Sequence, residues 1–221
     1  MGCSSSTPKV AEPTHVPPLV SPSIVDEPVL DEPQLDEVPE VPSKPTFEDF
    51  VTKLASLDTK TTDFVIQDQT PTADQVFAFC ELISKNNFLR QLKLINVPIP
   101  PDSFQHLHLL FSSGFLDELV LSNCSLGTQG GIKVLELATT STLSSLSLDN
   151  NGLDTGTVES ICNLILKSPV LYRLSLASNK LSSEDLDRIH EATKSNAAIE
   201  QVIVVGNDAS FSVNEETRLV L

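Results

Sequence analysis

Along most of this chain, short stretches in which apolar and polar residues alternate are followed by stretches whose apolar residues lie three and four apart, and the pair of patterns recurs. Five copies align: LRQLKLINVPI from Leu89, LDELVLSNCSL from Leu116, LSSLSLDNNGL from Leu143, LYRLSLASNKL from Leu171 and IEQVIVVGNDA from Ile199. Their starts are 27, 27, 28 and 28 residues apart. A worn sixth copy starts near Thr61, with Phe64 and Ile66 in its apolar positions. Alternation is the period of a strand with one buried face. Fifteen and eighteen residues after each start come Val76/Phe79, Phe104/Leu107, Gly131/Val134, Val158/Ile161 and Leu186/Ile189, and 22 residues on come Ile83, Phe111, Ala138, Ile165 and Thr193. That spacing is one face of a helix, so each unit is predicted to be a strand followed by a helix. Ahead of the repeats, Phe47, Phe50, Val51, Leu54 and Leu57 form a helical stripe, with Thr46 and Asp49 placed as a capping box.

A single unit of this kind cannot bury the inner sides of both its strand and its helix; stacked neighbours share one continuous core. The L-x-x-L-x-L-x-x-N/C-x-L signature over residues 61–209 resembles the leucine-rich repeat family, in particular its ribonuclease-inhibitor-like class. The resemblance implies an α/β solenoid, a short horseshoe of five to six strand-helix units with a parallel sheet on the concave side. It also implies a ladder of buried asparagines that bond the turning backbone, matched by Asn151, Asn179 and Asn207, with Cys124 as the accepted alternative. Val97, followed by Pro98, departs from the ladder and puts the second turn in question. Helix starts are expected at Thr72 with Gln75, at Pro101-Asp102, and at Ser183 before Glu184-Asp185. Gly130-Gly131 is expected to weaken the third helix by roughly 1 kcal/mol per glycine. Residues 46–60 are read as an N-terminal capping helix. Residues 210–221 are read as a C-terminal cap in which Phe211, Val213 and Leu219 cover the last strand, with Ile203 and Val205 beneath. The terminal LVL also has the spacing of a class II PDZ ligand, a reading that capping would remove.

Residues 1–45 differ in kind. They hold 10 of the 15 prolines, eight acids against Lys9 and Lys44, and no aromatic residue. Such a segment cannot bury enough apolar surface to offset chain entropy, and it is expected to be an extended, self-repelling, disordered tether. The chain opens MGCSSS, and the pattern M-G-x-x-x-[ST] is the N-myristoylation signal, satisfied by Gly2 and Ser6. Cys3 is then placed for S-palmitoylation. One myristoyl chain gives only marginal membrane binding, on the order of 10⁴ M⁻¹, and the acidic tether supplies no polybasic help, so stable anchoring needs the second lipid at Cys3. Myristoylation points to a eukaryotic cytosol, with the cytosolic face of the plasma membrane as the expected location.

Formal net charge is −16, which disfavours nucleic acid as a partner. No run of 18 apolar residues predicts a transmembrane helix. Chemistry is hard to find in the sequence. Cys80 and Cys162 fall on inward helix positions and read as core thiols, and His106 and His108 share no helix face. LGTQGG lacks the lysine and spacing of a phosphate loop. No catalytic set, metal site or cofactor is expected. The outward strand positions remain. They give Gln91, Lys93, Glu118, Val120, Ser145, Ser147, Asp149, Arg173 and Ser175, with Tyr172 beside them, a strip of small hydroxyls next to an aromatic and an arginine that suits protein binding. The reading is a non-enzymatic, monomeric, membrane-tethered adaptor that binds a protein partner on its concave face. The alternatives are a tropomodulin-like cytoskeletal regulator, or a soluble inhibitor whose concave face blocks an enzyme.

Overall fold

The structure, a computed structural model, describes residues 45–57, 61–208 and 219–220. Gly2 and Cys3, the proline-rich segment, and Phe211 and Val213 lie outside the described residues. The repeat unit builds as the sequence pattern predicts. Strands β1 (Asp63–Gln67), β2 (Gln91–Ile95), β3 (Glu118–Ser122), β4 (Ser145–Ser147), β5 (Arg173–Ser175) and β6 (Gln201–Ile203) alternate along the chain with helices α2 (Ala73–Lys85), α3 (His108–Ser112), α4 (Gly127–Thr139), α5 (Val158–Lys167) and α6 (Ser183–Lys194). All neighbouring strands pair in parallel and in sequence order. Register follows the repeat, so that Gln91, Glu118, Ser145, Arg173 and Gln201 lie in one row and Lys93, Val120, Ser147, Ser175 and Ile203 in the next.

The alternating strand residues between these rows face inward. Leu92/Leu94, Leu119/Leu121, Leu146/Leu148, Leu174/Leu176 and Val202/Val204 are all buried, as are the unit-opening Leu89, Leu116, Leu143, Leu171 and Ile199. They meet the inner helix face, Val76/Phe79, Val134, Val158/Ile161 and Leu186/Ile189, in one core cluster. Helix α1 (Phe47–Ala55) closes the N-terminal end of this stack. Its Thr46–Asp49 capping box forms, and Phe47 packs edge-on against Phe79 at 5.8 Å.

The asparagine ladder is in place. Asn179 Oδ1 accepts from the amides of Asn151 and Leu153, and its Nδ2 donates to the carbonyls of Leu148, Leu176 and Ala177. Asn151 serves the previous unit in the same way, accepting from Cys124 N and donating to Leu121 O and Asp149 O. Asn207 serves the last one through Leu181 N, Leu176 O and Val204 O. A second ladder of side chains ties the outer ends of the helices, where Thr128 donates to Asp154 and Thr155 to Asp185, each at 2.8 Å. Burial pushes the Asp185 carboxyl up, but the Ser182 and Thr155 donors outweigh it and hold Asp185 below the ordinary carboxylate value.

Four expectations change. The second unit keeps its turn despite Val97 and Pro98, with Ile99 N bonded to Cys124 O, but its helix starts as a 3-10 segment over Pro101–His106. A 3-10 segment advances three residues per turn, so the inward face rotates: Leu107 and Leu110 are buried, while Phe104 and Phe111 are only partly so. The cap of α6 is Ser182 with Asp185, one residue ahead of the predicted start. The Gly130-Gly131 pair does more than weaken α4. A Cβ on Gly131 would lie 2.4 Å from Leu153 Cδ2, and one on Gly130 would lie 2.7 Å from Phe104 Cζ, so glycine is what lets this helix sit against its neighbours. Finally, Leu219–Val220 does not lie over the last strand but extends the sheet as β7, parallel to β6 and bonded through Val204 N to Val220 O. Val205 stays 47% exposed.

Two substitutions test this packing. Asn179→Ala orphans buried amides and carbonyls at about 1–3 kcal/mol per group, and urea unfolding is expected to show a loss of about 3 kcal/mol or more; a loss below that of an exposed-surface substitution would remove the ladder from the account. Gly131→Ala gains roughly 1 kcal/mol of helix propensity but overpacks at a cost of about 1–3 kcal/mol, so the net change is destabilising; a more stable variant would show that Leu153 has room to move.

Candidate functional site

Strand residues that alternate with the core point away from the helices, and between β2 and β6 they line a hollow of about 500 Å³. This makes the open face of the sheet concave. Of the predicted contact residues, Lys93, Glu118, Val120, Ser145, Ser147, Asp149, Arg173 and Ser175 line it, joined by Ser122, Leu146, Ala177, Ile203 and Val205. Gln91 and Tyr172 do not. Gln91 opens β2, and Tyr172 sits just before β5 with 43% of its surface exposed, so both lie at the N-terminal edge of the sheet.

The charges in the hollow are unequally engaged. Lys93 and Glu118 pair across neighbouring strands at 3.0 Å. Asp149 Oδ1 accepts from the Ser175 hydroxyl at 2.6 Å and from the Ala177 amide at 2.8 Å. Ser175 is buried, and its hydroxyl proton is committed to Asp149. The side chain of Arg173, an exposed residue, makes no hydrogen bond or ion pair among the described residues, while its backbone amide bonds to Ser144 O. Toward β6 the hollow turns apolar through Ile203 and Val205.

At the C-terminal ends of the strands runs a feature that the sequence reading missed. The eighth residue of every unit is left-handed: Asp68, Asn96, Asn123, Asn150, Ser178 and Gly206, with φ between 54° and 75°. Asn96 Nδ2 donates to Asp68 Oδ1 and Asn123 Nδ2 to Asn96 Oδ1, both at 2.8 Å. The signal lies in residue type: five of the six positions hold aspartate, asparagine or glycine, the residues that tolerate this conformation. At Gly206 a side chain would also meet Ser178, whose Oγ lies 2.9 Å from the Cβ position.

The architecture is a leucine-rich-repeat solenoid. No family model matches the chain, and no curated protein matches it either. Among solved structures, it is similar to leiomodin-1 actin-binding site 2 (ABS2), at 13% identity over 75% of this chain and 80% of that chain, with a TM-score of 0.45. The fold assignment rests on the in-phase repeat and sheet register described above.

The thiols belong to the packing. Burial pushes Cys80 up to about 12, and Cys124 likewise to about 12 against the opposing hydrogen bond from the Val97 backbone, so both are protonated at neutral pH and poor nucleophiles. Cys162 is less enclosed than its repeat position predicts. It is half-buried beside Leu166 and Arg188 between α5 and α6, and burial raises it despite the nearby guanidinium. His106 and His108 are separated by the end of the 3-10 segment, and His106 packs against Phe77 with the ring centroids 4.6 Å apart and the planes tilted by 55°. With Cys3 replaced by Ser, reaction with an aromatic disulfide reagent at pH 8 is expected to label Cys162 slowly in the native protein and Cys80 and Cys124 only with unfolding. Rapid native labelling of Cys80 or Cys124 would contradict their assignment to the core.

Proposed function

We propose that this protein is a non-enzymatic adaptor: a leucine-rich-repeat domain that holds a protein partner on its concave face and is tethered to the cytosolic side of a membrane by lipids on Gly2 and Cys3. The observation that carries the binding half is the hollow itself, where a regular parallel backbone presents an exposed arginine, small residues and an apolar end at fixed spacing. Anchor residues of this kind concentrate binding energy when a partner covers them.

The membrane half is supported by Gly2, Cys3 and Ser6 and by the acidic, proline-rich stretch that follows. Among the described residues, no helix is long and apolar enough to cross a membrane. Two lipids supply an affinity that one chain does not, and a segment of some 40 residues gives the domain a reach of at most roughly 130 Å at about 3.1 Å per residue. The protein is proposed to act as a monomer at the plasma membrane of a eukaryotic cell. The net charge of −10 over residues 46–221, from 12 basic and 22 acidic residues, favours one other reading, a soluble inhibitor of a basic enzyme.

Metabolic labelling with alkyne analogues of myristate and palmitate, combined with membrane fractionation, separates these readings. Wild type is expected to take both labels and sediment with membranes. Gly2→Ala is expected to lose both labels and become soluble, and Cys3→Ser to keep myristate but leak from membranes. A wild type that takes neither label and stays soluble would overturn the tether and advance the inhibitor.

A further inference from the structure

Resting on the reading of the concave face as a binding surface, we infer the chemistry of its partner: an extended peptide segment that places one carboxylate on Arg173 and an aliphatic side chain on the Ile203–Val205 shelf. Glu118 is neutralised by Lys93 at 3.0 Å. Asp149 is already served by a hydroxyl and an amide. Arg173 alone among the ionic groups of the hollow has no partner among the described residues, and a guanidinium covered by a partner without an anion would lose its water for nothing. Its planar fork matches a carboxylate in two parallel hydrogen bonds.

The surroundings select the form of the anion. Arg173 lies in register with Ser145 on one side and Gln201 on the other, about 4.8 Å away across each strand gap, and both are uncharged donors. The two carboxylates elsewhere in the hollow and the net −10 of the domain disfavour a doubly charged phosphate and a run of acids, leaving one singly charged carboxylate. One strand over from Arg173, Ile203 and, just past the end of β6, the 47%-exposed Val205 both line the hollow, and Ile203 pairs in register with the 40%-exposed Val220 of β7. Ile203 is one strand over and two residues along from Arg173, a diagonal of about 8 Å at strand spacings of about 4.8 and 6.8 Å. Side chains two and four apart on an extended peptide lie about 6.8 and 13.6 Å apart, so one peptide running obliquely over the sheet can meet Arg173 and the shelf together.

The test is a selection of phage-displayed random dodecapeptides on the full chain, with the recovered peptides titrated by fluorescence anisotropy. The enriched sequences are expected to carry Asp or Glu with Val, Leu or Ile two or four residues away. Arg173→Ala is expected to weaken them about tenfold or more, as the loss of a hydrogen-bonded charge partner does, and Arg173→Lys less. Changing the peptide's Asp to Asn should cost wild type about as much and Arg173→Ala little further, the signature of a direct pair. Val205→Ser should weaken the same peptides, and Leu166→Ser, on the helical side, should not. Peptides blocked by Ser147→Trp but indifferent to Arg173→Ala would overturn the carboxylate inference and leave the concave reading standing. Peptides indifferent to both, or no enrichment at all, would overturn both.

Discussion

A parallel strand that must turn back along a helix every 27 or 28 residues leaves amides and carbonyls of the turn inside the protein, where water cannot reach them. Everything else in this structure depends on how those groups are satisfied. Asn151, Asn179 and Asn207 each bring one acceptor and two donors into the interior and spend them on the backbone of their own unit and the one before. An orphaned buried amide costs about 1–3 kcal/mol, so in the three C-terminal units the asparagine is what lets the turn be buried at all. Once the turns are fixed, the leucines above and below fall into register, and the outward side chains follow at the spacing of the sheet.

The second unit shows what happens where the constraint is met differently. Val97 brings no polar atoms, and the turn is held instead by the left-handed Asn96 and by backbone bonds to the next unit. The price is a helix that begins in 3-10 geometry and a small void of about 10 Å³ among Phe47, Val76, Cys80, Val97 and Leu107. The third unit compensates in the opposite sense, using Gly130 and Gly131 to let α4 approach where side chains would collide. In the C-terminal half, α5, which follows a single 3-10 turn at Thr155–Thr157, and α6 keep their inner faces buried.

Much of this was legible in the sequence because burial in a stacked repeat is periodic. The strand leucines, the inner helix positions outside the second unit and the asparagines of the fourth to sixth turns fell where the spacing placed them. What escaped was what periodicity does not encode. The exposed ladder from Asp68 to Asn123 is set by backbone handedness rather than by hydrophobicity. The commitment of Ser175 to Asp149 depends on two side chains from different units whose meeting no single repeat predicts. Cys162 shares its repeat position with Cys80 but lies where the helix surface opens. The placement of Leu219–Val220 beside β6 comes from an edge that needs a pairing partner more than from the apolar count of the terminal segment.

The account treats the sheet face, and the hollow around Arg173 within it, as the place where this protein meets its partner, with the helices serving as its support. Site-specific photo-crosslinking in cells tests that most directly. A photoreactive phenylalanine at position 172, on the 43%-exposed rim of the sheet, is compared with one at position 166, equally exposed on the helical side at 49%. A discrete crosslinked partner from position 172 and none from position 166 is the result the account predicts. A partner captured from position 166, with none at position 172, would contradict it.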